Sequence, residues 1–353
     1  VTRELSEDVA AAVQNLLDVL APTRDRRLAA ELLTASAGMI ADQPETLDLK
    51  IAASAVYEMR DAYDMFAPFR GRRKVTIFGS ARTKVNEPLY AQARDVAHHM
   101  AENDWMVITG AGPGIMQAAM EGAGRQQSIG VSIRLPFEQG ANPVIAGDAK
   151  YVSMKYFFTR KLMLVKESSA FVCLPGGFGT LDETFELLTL TQTGKGVPVP
   201  IVLLDTPGDP YWEEVADFVD TQLVTRGLVA GADTKLYTVT DTCEAAVAEI
   251  NRFYSNYDSM RYVGDKLVVR MRTAPDDVQL DMLNTTFAHI LTSGTIERVA
   301  PLPIEVKEND RTEYQRIAFS FAKHGFGDLR LLIDMLNTDT TSRSVTSVAG
   351  ATT

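Results

Sequence analysis

Apolar positions recur at spacings of three and four in "EDVAAAVQNLLDVL", "RRLAAELLTASAGMI" and "LDLKIAASAVYEMRDAYDMF". That period predicts amphipathic helices, so residues 1–70 are expected as a helical extension that packs on a core or on a second subunit. Pro68, Gly71 and the basic run Arg70, Arg72, Arg73 and Lys74 mark its end. From Lys74 the pattern changes to short apolar runs separated by helical ones. Strands are predicted in "KVTIFG" (74–79), at the start of "WMVITGAGPG" (105–114), and in "SIGVSIR" (128–134), "AFVCLP" (170–175) and "VPIVLL" (199–204). Helices are predicted in "PLYAQARDVAHHMAEN" (88–103), opened by proline, in "SMKYFFTRKLMLVKESS" (153–169), capped by Ser153, and in "TLDETFELLTLTQTG" (180–194), closed by Gly194. Strand and helix in regular alternation predict a parallel sheet with helices on both faces. The expected fold is therefore α/β: a doubly wound, Rossmann-like core over 71–255.

Beyond Arg261 the order changes. A strand at 265–272, a helix at 275–294, strands at 295–306 and 314–323 and a helix at 327–337 give β-α-β-β-α, most of a ferredoxin-like or ACT-like unit. A small α+β unit is thus expected over 256–337. The tail 338–353, rich in Thr, Ser, Ala and Gly, is expected to be disordered.

Composition narrows the function. The chain has 353 residues, 46% of them hydrophobic, and a formal net charge of −11, which argues against a general nucleic-acid binder. A local basic pocket for a small anion stays compatible with that charge. The two cysteines, Cys173 and Cys243, give no support for a disulfide framework or a zinc site. No run reaches the roughly 18 apolar residues of a membrane span, and the acidic, amphipathic start is unlike a signal peptide. A cytoplasmic protein is expected, with no membrane partner.

Three glycine-bearing loops fall at the carboxyl ends of predicted strands, where open parallel sheets bind ligands. They are Gly79-Ser80-Ala81, Gly110-Ala111-Gly112-Pro113-Gly114 and Gly176-Gly177-Phe178-Gly179-Thr180. The second and third lead directly into helices, whose N-termini favour anions. The spacings fit neither G-x-G-x-x-G nor a P-loop, and no G-x-S-x-G exists. Three such loops at one sheet edge point to a phosphate-bearing ligand. Asp182, Glu183 and Glu186 open the helix after the third loop. Acids there suit the helix dipole, which accounts for Asp182. Glu183, beside an expected phosphate, is better explained by work on a sugar, where a carboxylate positions water or stabilises an oxocarbenium ion. Spacing alone leaves open whether Arg160 and Lys161 form a solvated pair or aim Arg160 at the same cleft. The four histidines, His98, His99, His289 and His324, lie outside the loops, so neither a metal nor a cofactor is expected.

The block "FFTRKLMLVKESSAFVCLPGGFGTLDETFELLTLTQTGK" (157–195) resembles the signature of the LONELY GUY family of phosphoribohydrolases, proteins long labelled lysine decarboxylases. The shared pattern is an Arg-Lys pair followed by P-G-G-x-G-T-x-x-E. "GSAR" (79–82) and "GAGPGIMQAAMEGA" (110–123) are similar to the family's other loops, and the likeness covers about 74–225. The resemblance implies hydrolysis of the N-glycosidic bond of a nucleoside 5′-monophosphate such as AMP or a cytokinin nucleotide, giving free base and ribose 5-phosphate. It implies Arg160 and Glu183 as the catalytic pair. It places Gly79, Ser80, Gly110, Gly112, Gly114, Lys161, Gly176, Gly177, Gly179 and Thr180 around the substrate and its phosphate, with Asp182 and Glu186 near the ribose. Phe157 and Phe158 stand where many shorter members have Met-His, which points to the longer subgroup. Family members are at least dimers, so a homo-oligomer is expected.

Two other readings compete. A relative of the molybdenum-cofactor carriers would hold a phosphorylated ligand without turning it over, yet has no use for a water-positioning acid such as Glu183. A decarboxylase would need pyridoxal phosphate on a lysine, and Lys161 and Lys166 lie in a helix without a recognisable cofactor motif.

Overall fold

The computed structural model describes residues 6–21, 25–135 and 140–338. The expected tail, from 339 onward, lies outside the described residues. The chain divides into two compact units, Val1–Asp61 and Ala62–Thr353.

The first unit holds helices α1 (Glu7–Leu20), α2 (Arg26–Ala41) and most of α3 (Thr46–Phe66). Arg26 ties α2 to α1 by donating to the Leu17 carbonyl and pairing with Asp18. Asp25 caps α2 by accepting from the Leu28 N–H at 3.1 Å. The end of α3, from Ala62 to Phe66, belongs to the second unit, so the border between the units falls within a helix, before residue 70.

The second unit opens with β1 (Lys74–Phe78), α4 (Pro88–Glu102), β2 (Met106–Thr109), α5 (Ile115–Gln127), β3 (Ser128–Ile133) and β4 (Tyr151–Met154). It continues with α6 (Phe157–Lys166), β5 (Ala170–Cys173), α7 (Phe178–Gln192), β6 (Ile201–Leu204), α8 (Tyr211–Phe218), β7 (Thr238–Thr240) and α9 (Cys243–Phe253). The strands form one parallel sheet in the order β4-β3-β2-β1-β5-β6-β7. Strands β1, β2, β5 and β6 are buried along their whole length. Their continuous apolar runs therefore suit a sheet covered on both faces. From β1 the chain winds outward to β4, then returns to β5 on the other side of β1 and winds outward again. The loops leaving β1 and β5 consequently turn to opposite faces and open a crevice at the reversal point.

The helix expected from Ser153 begins later. Ser153 belongs to β4, pairs with Ser132 of β3, and its carbonyl accepts from Arg134. Helix α6 starts only at Phe157 and has no side-chain cap. A four-residue strand with alternating burial is too short to interrupt an apparent helical period.

The remainder forms an antiparallel sheet. Strands β8 (Tyr257–Val263) and β9 (Lys266–Met271) make a hairpin closed at Gly264, which has φ +62°. Helix α10 (Asp277–Thr286), β10 (Leu291–Arg298), α11 (Pro303–Glu308), β11 (Gln315–Phe321) and α12 (Phe326–Leu336) follow. The sheet order is β10-β11-β9-β8. The sequence-based order missed β8, ran α10 on to residue 294 in the first half of β10, and carried the following strand into α11. Ile290, 2% exposed in the turn between them, continues the helical spacing of apolar residues past the end of the helix. Phe253 and Ile250 of α9 share one apolar cluster with Leu267, Val269, Phe319 and Ile333, so both sheets of this unit grow from a common core. Arg270 and Arg316, on the other face of their strands, clasp the buried Glu305 at 2.6 and 2.7 Å.

Candidate active site

The three glycine loops meet at the reversal point. Gly79 and Ser80 leave β1, and the Ser80 N–H donates to the Pro175 carbonyl at 3.3 Å, stitching the first loop to the third. The Ser80 carbonyl accepts from the Ile115 N–H at 3.0 Å, stitching the first to the second. That closeness requires glycine at 114. Its φ is +66°, and a Cβ there would lie 2.4 Å from the Ser80 oxygen. Gly176 is similarly confined, since a Cβ would meet Thr180 Oγ1 at 2.2 Å and Ser80 N at 3.1 Å.

Gly177 and Gly179 are different. Nothing lies within 4 Å of where their side chains would be. They begin α7, which has no side-chain cap, so the N–H groups of its first turn lack an intrahelical acceptor. Packing does not demand glycine there, whereas close approach of a ligand would exploit it.

Beside these donors lies a buried ion pair. Arg160 on α6 donates from Nη1 to Glu183 Oε1 on α7 at 3.0 Å, with side chains 10% and 13% exposed. Its Nε donates to the Val131 carbonyl of β3 at 3.1 Å, which orients the guanidinium. Gly110 makes the space: a Cβ there would sit 2.3 Å from Arg160 Nη2. Burial pushes the Glu183 carboxyl above its ordinary range, against the opposing pull of Arg160 and Lys161. A carboxylate that is partly desolvated, paired and still reachable is suited to taking a proton from water.

Lys161 takes a structural position. Its ammonium pairs with Asp182 at 2.6 Å and Glu186 at 2.8 Å, bracing α6 against the first turns of α7. Burial alone would lower its pKa, but these two hydrogen bonds prevail and raise it. The three residues assigned by resemblance to phosphate and ribose thus engage one another. A Schiff-base lysine needs the reverse shift, so Lys161 is unsuited to that chemistry.

Several supports escaped the sequence reading. Asn142, only 6% exposed, donates from its side chain to the Gly112 carbonyl at 3.1 Å and from its backbone N–H to the Ala111 carbonyl at 2.8 Å. Thr109 Oγ1 accepts from the Ala111 N–H at 3.0 Å. Tyr211 donates to the Gly176 carbonyl at 2.7 Å. Thr109 adjoins the second loop in sequence, whereas only the fold brings Asn142 and Tyr211 to the loops. A cavity of ≈ 760 Å³ lies elsewhere, lined in part by Arg252 and Arg272. Those cations are engaged, Arg252 with Glu249 and Asp334, and Arg272 with the Tyr254 carbonyl. Among the described residues no group of three or more His, Cys, Asp or Glu could hold a metal ion, and no helix is long and apolar enough to cross a membrane.

Residues 114–250 match a family described as "Possible lysine decarboxylase". The probable cytokinin riboside 5′-monophosphate phosphoribohydrolase LOG6 of Arabidopsis thaliana is 30% identical over 165 residues, covering 42% of this chain and 79% of that protein. Cytokinin riboside 5′-monophosphate phosphoribohydrolase LOG3, also of Arabidopsis thaliana, is 25% identical, covering 51% of this chain and 83% of that protein. Among solved structures, the molybdenum cofactor carrier protein of Chlamydomonas reinhardtii is 21% identical and covers 51% of this chain and 97% of its own, at a TM-score of 0.37. That superposition is too loose to bear on ligand or activity. The matched residues 114–250 include the third loop and the Arg160–Glu183 pair, and by its likeness to these relatives the chain belongs to the LONELY GUY family.

Proposed function

We propose that this protein hydrolyses the N-glycosidic bond of a nucleoside 5′-monophosphate, releasing the free base and ribose 5-phosphate. The observation that carries the reading is the buried Arg160–Glu183 pair beside the uncapped start of α7. A phosphate held by the N–H groups of Gly177, Phe178 and Gly179, with Thr180 and Ser80 at its flank, leaves the ribose within reach of Glu183. In the reaction the C1′–N bond breaks and its electron pair leaves with the base. Positive charge develops on the ribose ring, and the Glu183 carboxylate stabilises it. Glu183 also orients a water, whose oxygen bonds to C1′ while its proton passes to the carboxylate. The departing base takes up one proton from solvent and Glu183 afterwards releases the one it received, which balances the step and restores the carboxylate. Arg160 holds Glu183 in place and tempers its charge. The named relatives act on cytokinin riboside 5′-monophosphates, and purine, pyrimidine and prenylated-adenine nucleotides are the substrates to compare.

The site also bears on assembly. Phe157, Phe158 and Leu162 on α6 are 52%, 53% and 45% exposed, and Phe178 at the start of α7 is 93% exposed. Apolar side chains on two helices joined through Lys161 favour cover by a second copy of the chain, and sedimentation at several concentrations tests it.

The functional test incubates a panel of nucleoside monophosphates with the wild type and Glu183→Ala. Release of free base and ribose 5-phosphate by the wild type, reduced by about 10²–10⁴-fold in the variant, is expected. Tight binding without release would instead indicate a carrier.

A further inference from the structure

The third loop contains two consecutive glycines, and nothing in their own side chains decides which way the peptide between them faces. A peptide is planar and trans, so its C=O and N–H point in opposite directions. Between two glycines the plane turns over at little steric cost. One orientation sends the Gly177 N–H into the crevice, and the other sends the Gly176 carbonyl oxygen there, where it would repel a phosphate.

The orientation is settled from α8. The Tyr211 hydroxyl donates to the Gly176 carbonyl at 2.7 Å. The carbonyl therefore faces α8, and the Gly177 N–H, opposite it across the planar trans peptide, is turned away from α8. Tyr211 is itself held firmly. Its backbone N–H donates to Asp209 at 3.1 Å, and the next N–H, of Trp212, donates to the buried Asp205 at 2.9 Å. The Trp212 ring is fully buried and meets the Tyr211 ring edge-on at 4.9 Å. Burial raises the phenol pKa, so the hydroxyl stays protonated and able to donate.

We infer that Tyr211 is a positioning residue, which locks the Gly176–Gly177 peptide with its N–H toward the crevice and so orders the phosphate grip before substrate arrives. This rests on the proposed function. It adds a residue outside the signature block, acting through the backbone and touching no reacting atom.

Tyr211→Phe removes the hydroxyl and keeps the ring, so the fold is retained, as a thermal melt of the same sample verifies. Two quantities are read: the affinity for ribose 5-phosphate by calorimetry, and the Gly177 amide resonance in the ligand-free protein. One lost hydrogen bond corresponds to about three- to tenfold weaker ribose 5-phosphate binding. KM for the nucleotide should rise by a similar factor with kcat little changed, and the Gly177 amide should shift and broaden. A merely structural role would lower the melting temperature and leave that amide and the KM-to-kcat split unmoved. If wild type and variant bind equally, with the amide unchanged, the inference falls while the proposed function stands. Failure of the wild type itself to bind ribose 5-phosphate overturns both.

Discussion

Arg160 Nη2 occupies the space that a side chain on Gly110 would need, with only 2.3 Å between it and a Cβ built there. Strand β2 thus controls the pose of a guanidinium carried by α6. Gly110→Ala is expected to push Arg160 off Glu183 and to lower kcat/KM at least about tenfold, with an overpacking cost of about 1–3 kcal/mol. Steady-state kinetics and a denaturant melt of the same variant check both parts.

The acid limb of the reaction should report Glu183. Burial raises its pKa above the ordinary 4.5, and Arg160 and Lys161 oppose that shift. A water-activating carboxylate works only when ionised, so kcat/KM should rise with pH through this raised pKa. Removing the opposing cation in Arg160→Met raises the pKa further and moves the limb to still higher pH. Glu183→Gln should abolish the limb. A pH–rate profile of the three proteins is the measurement.

Lys161 should behave as a brace. Its carboxylate partners Asp182 and Glu186 are 60% and 35% exposed, so screening limits what the pairs contribute. Lys161→Met is expected to cost about 1 kcal/mol of stability and to leave the affinity for ribose 5-phosphate nearly unchanged. A large loss of that affinity with an unaltered melt would return Lys161 to the phosphate.

Asp205 gives a pH signature in stability. It is 1% exposed, and its pKa is pushed up to about 6, first by burial and then by Asp209, Glu213 and Asp241, against the Trp212 N–H bond. The unfolded chain ionises it near 3.8. Between these values the folded state holds more protons than the unfolded state, so stability falls as pH rises. The contribution is present below the unfolded pKa and gone above the folded one. Asp205→Asn should therefore lose most relative to wild type in acid and recover toward neutrality, as melts across that window will show.

The doubly wound core was legible because its buried strands are short continuous apolar runs separated by amphipathic helices. The glycine loops were legible as motifs, and their convergence followed from their place at strand ends. What the sequence hid depends on tertiary proximity or on short elements. Strand β4 is only four residues long, and α10 ends where Ile290 still carries the helical spacing. Family resemblance places Lys161 among the phosphate residues, and only the fold shows its ammonium held by Asp182 and Glu186. Tyr211 and Asn142 approach the loops from distant segments, and no local pattern announces them.

The central claim is that water attacks C1′ of a bound nucleotide with Glu183 taking the proton. Its most direct test runs a single turnover in water enriched in heavy oxygen and follows the label by mass spectrometry. The account predicts one heavy oxygen at C1′ of ribose 5-phosphate, none in the base, and loss of the reaction in Glu183→Gln. Label appearing in inorganic phosphate, or equal turnover by Glu183→Gln, would contradict it.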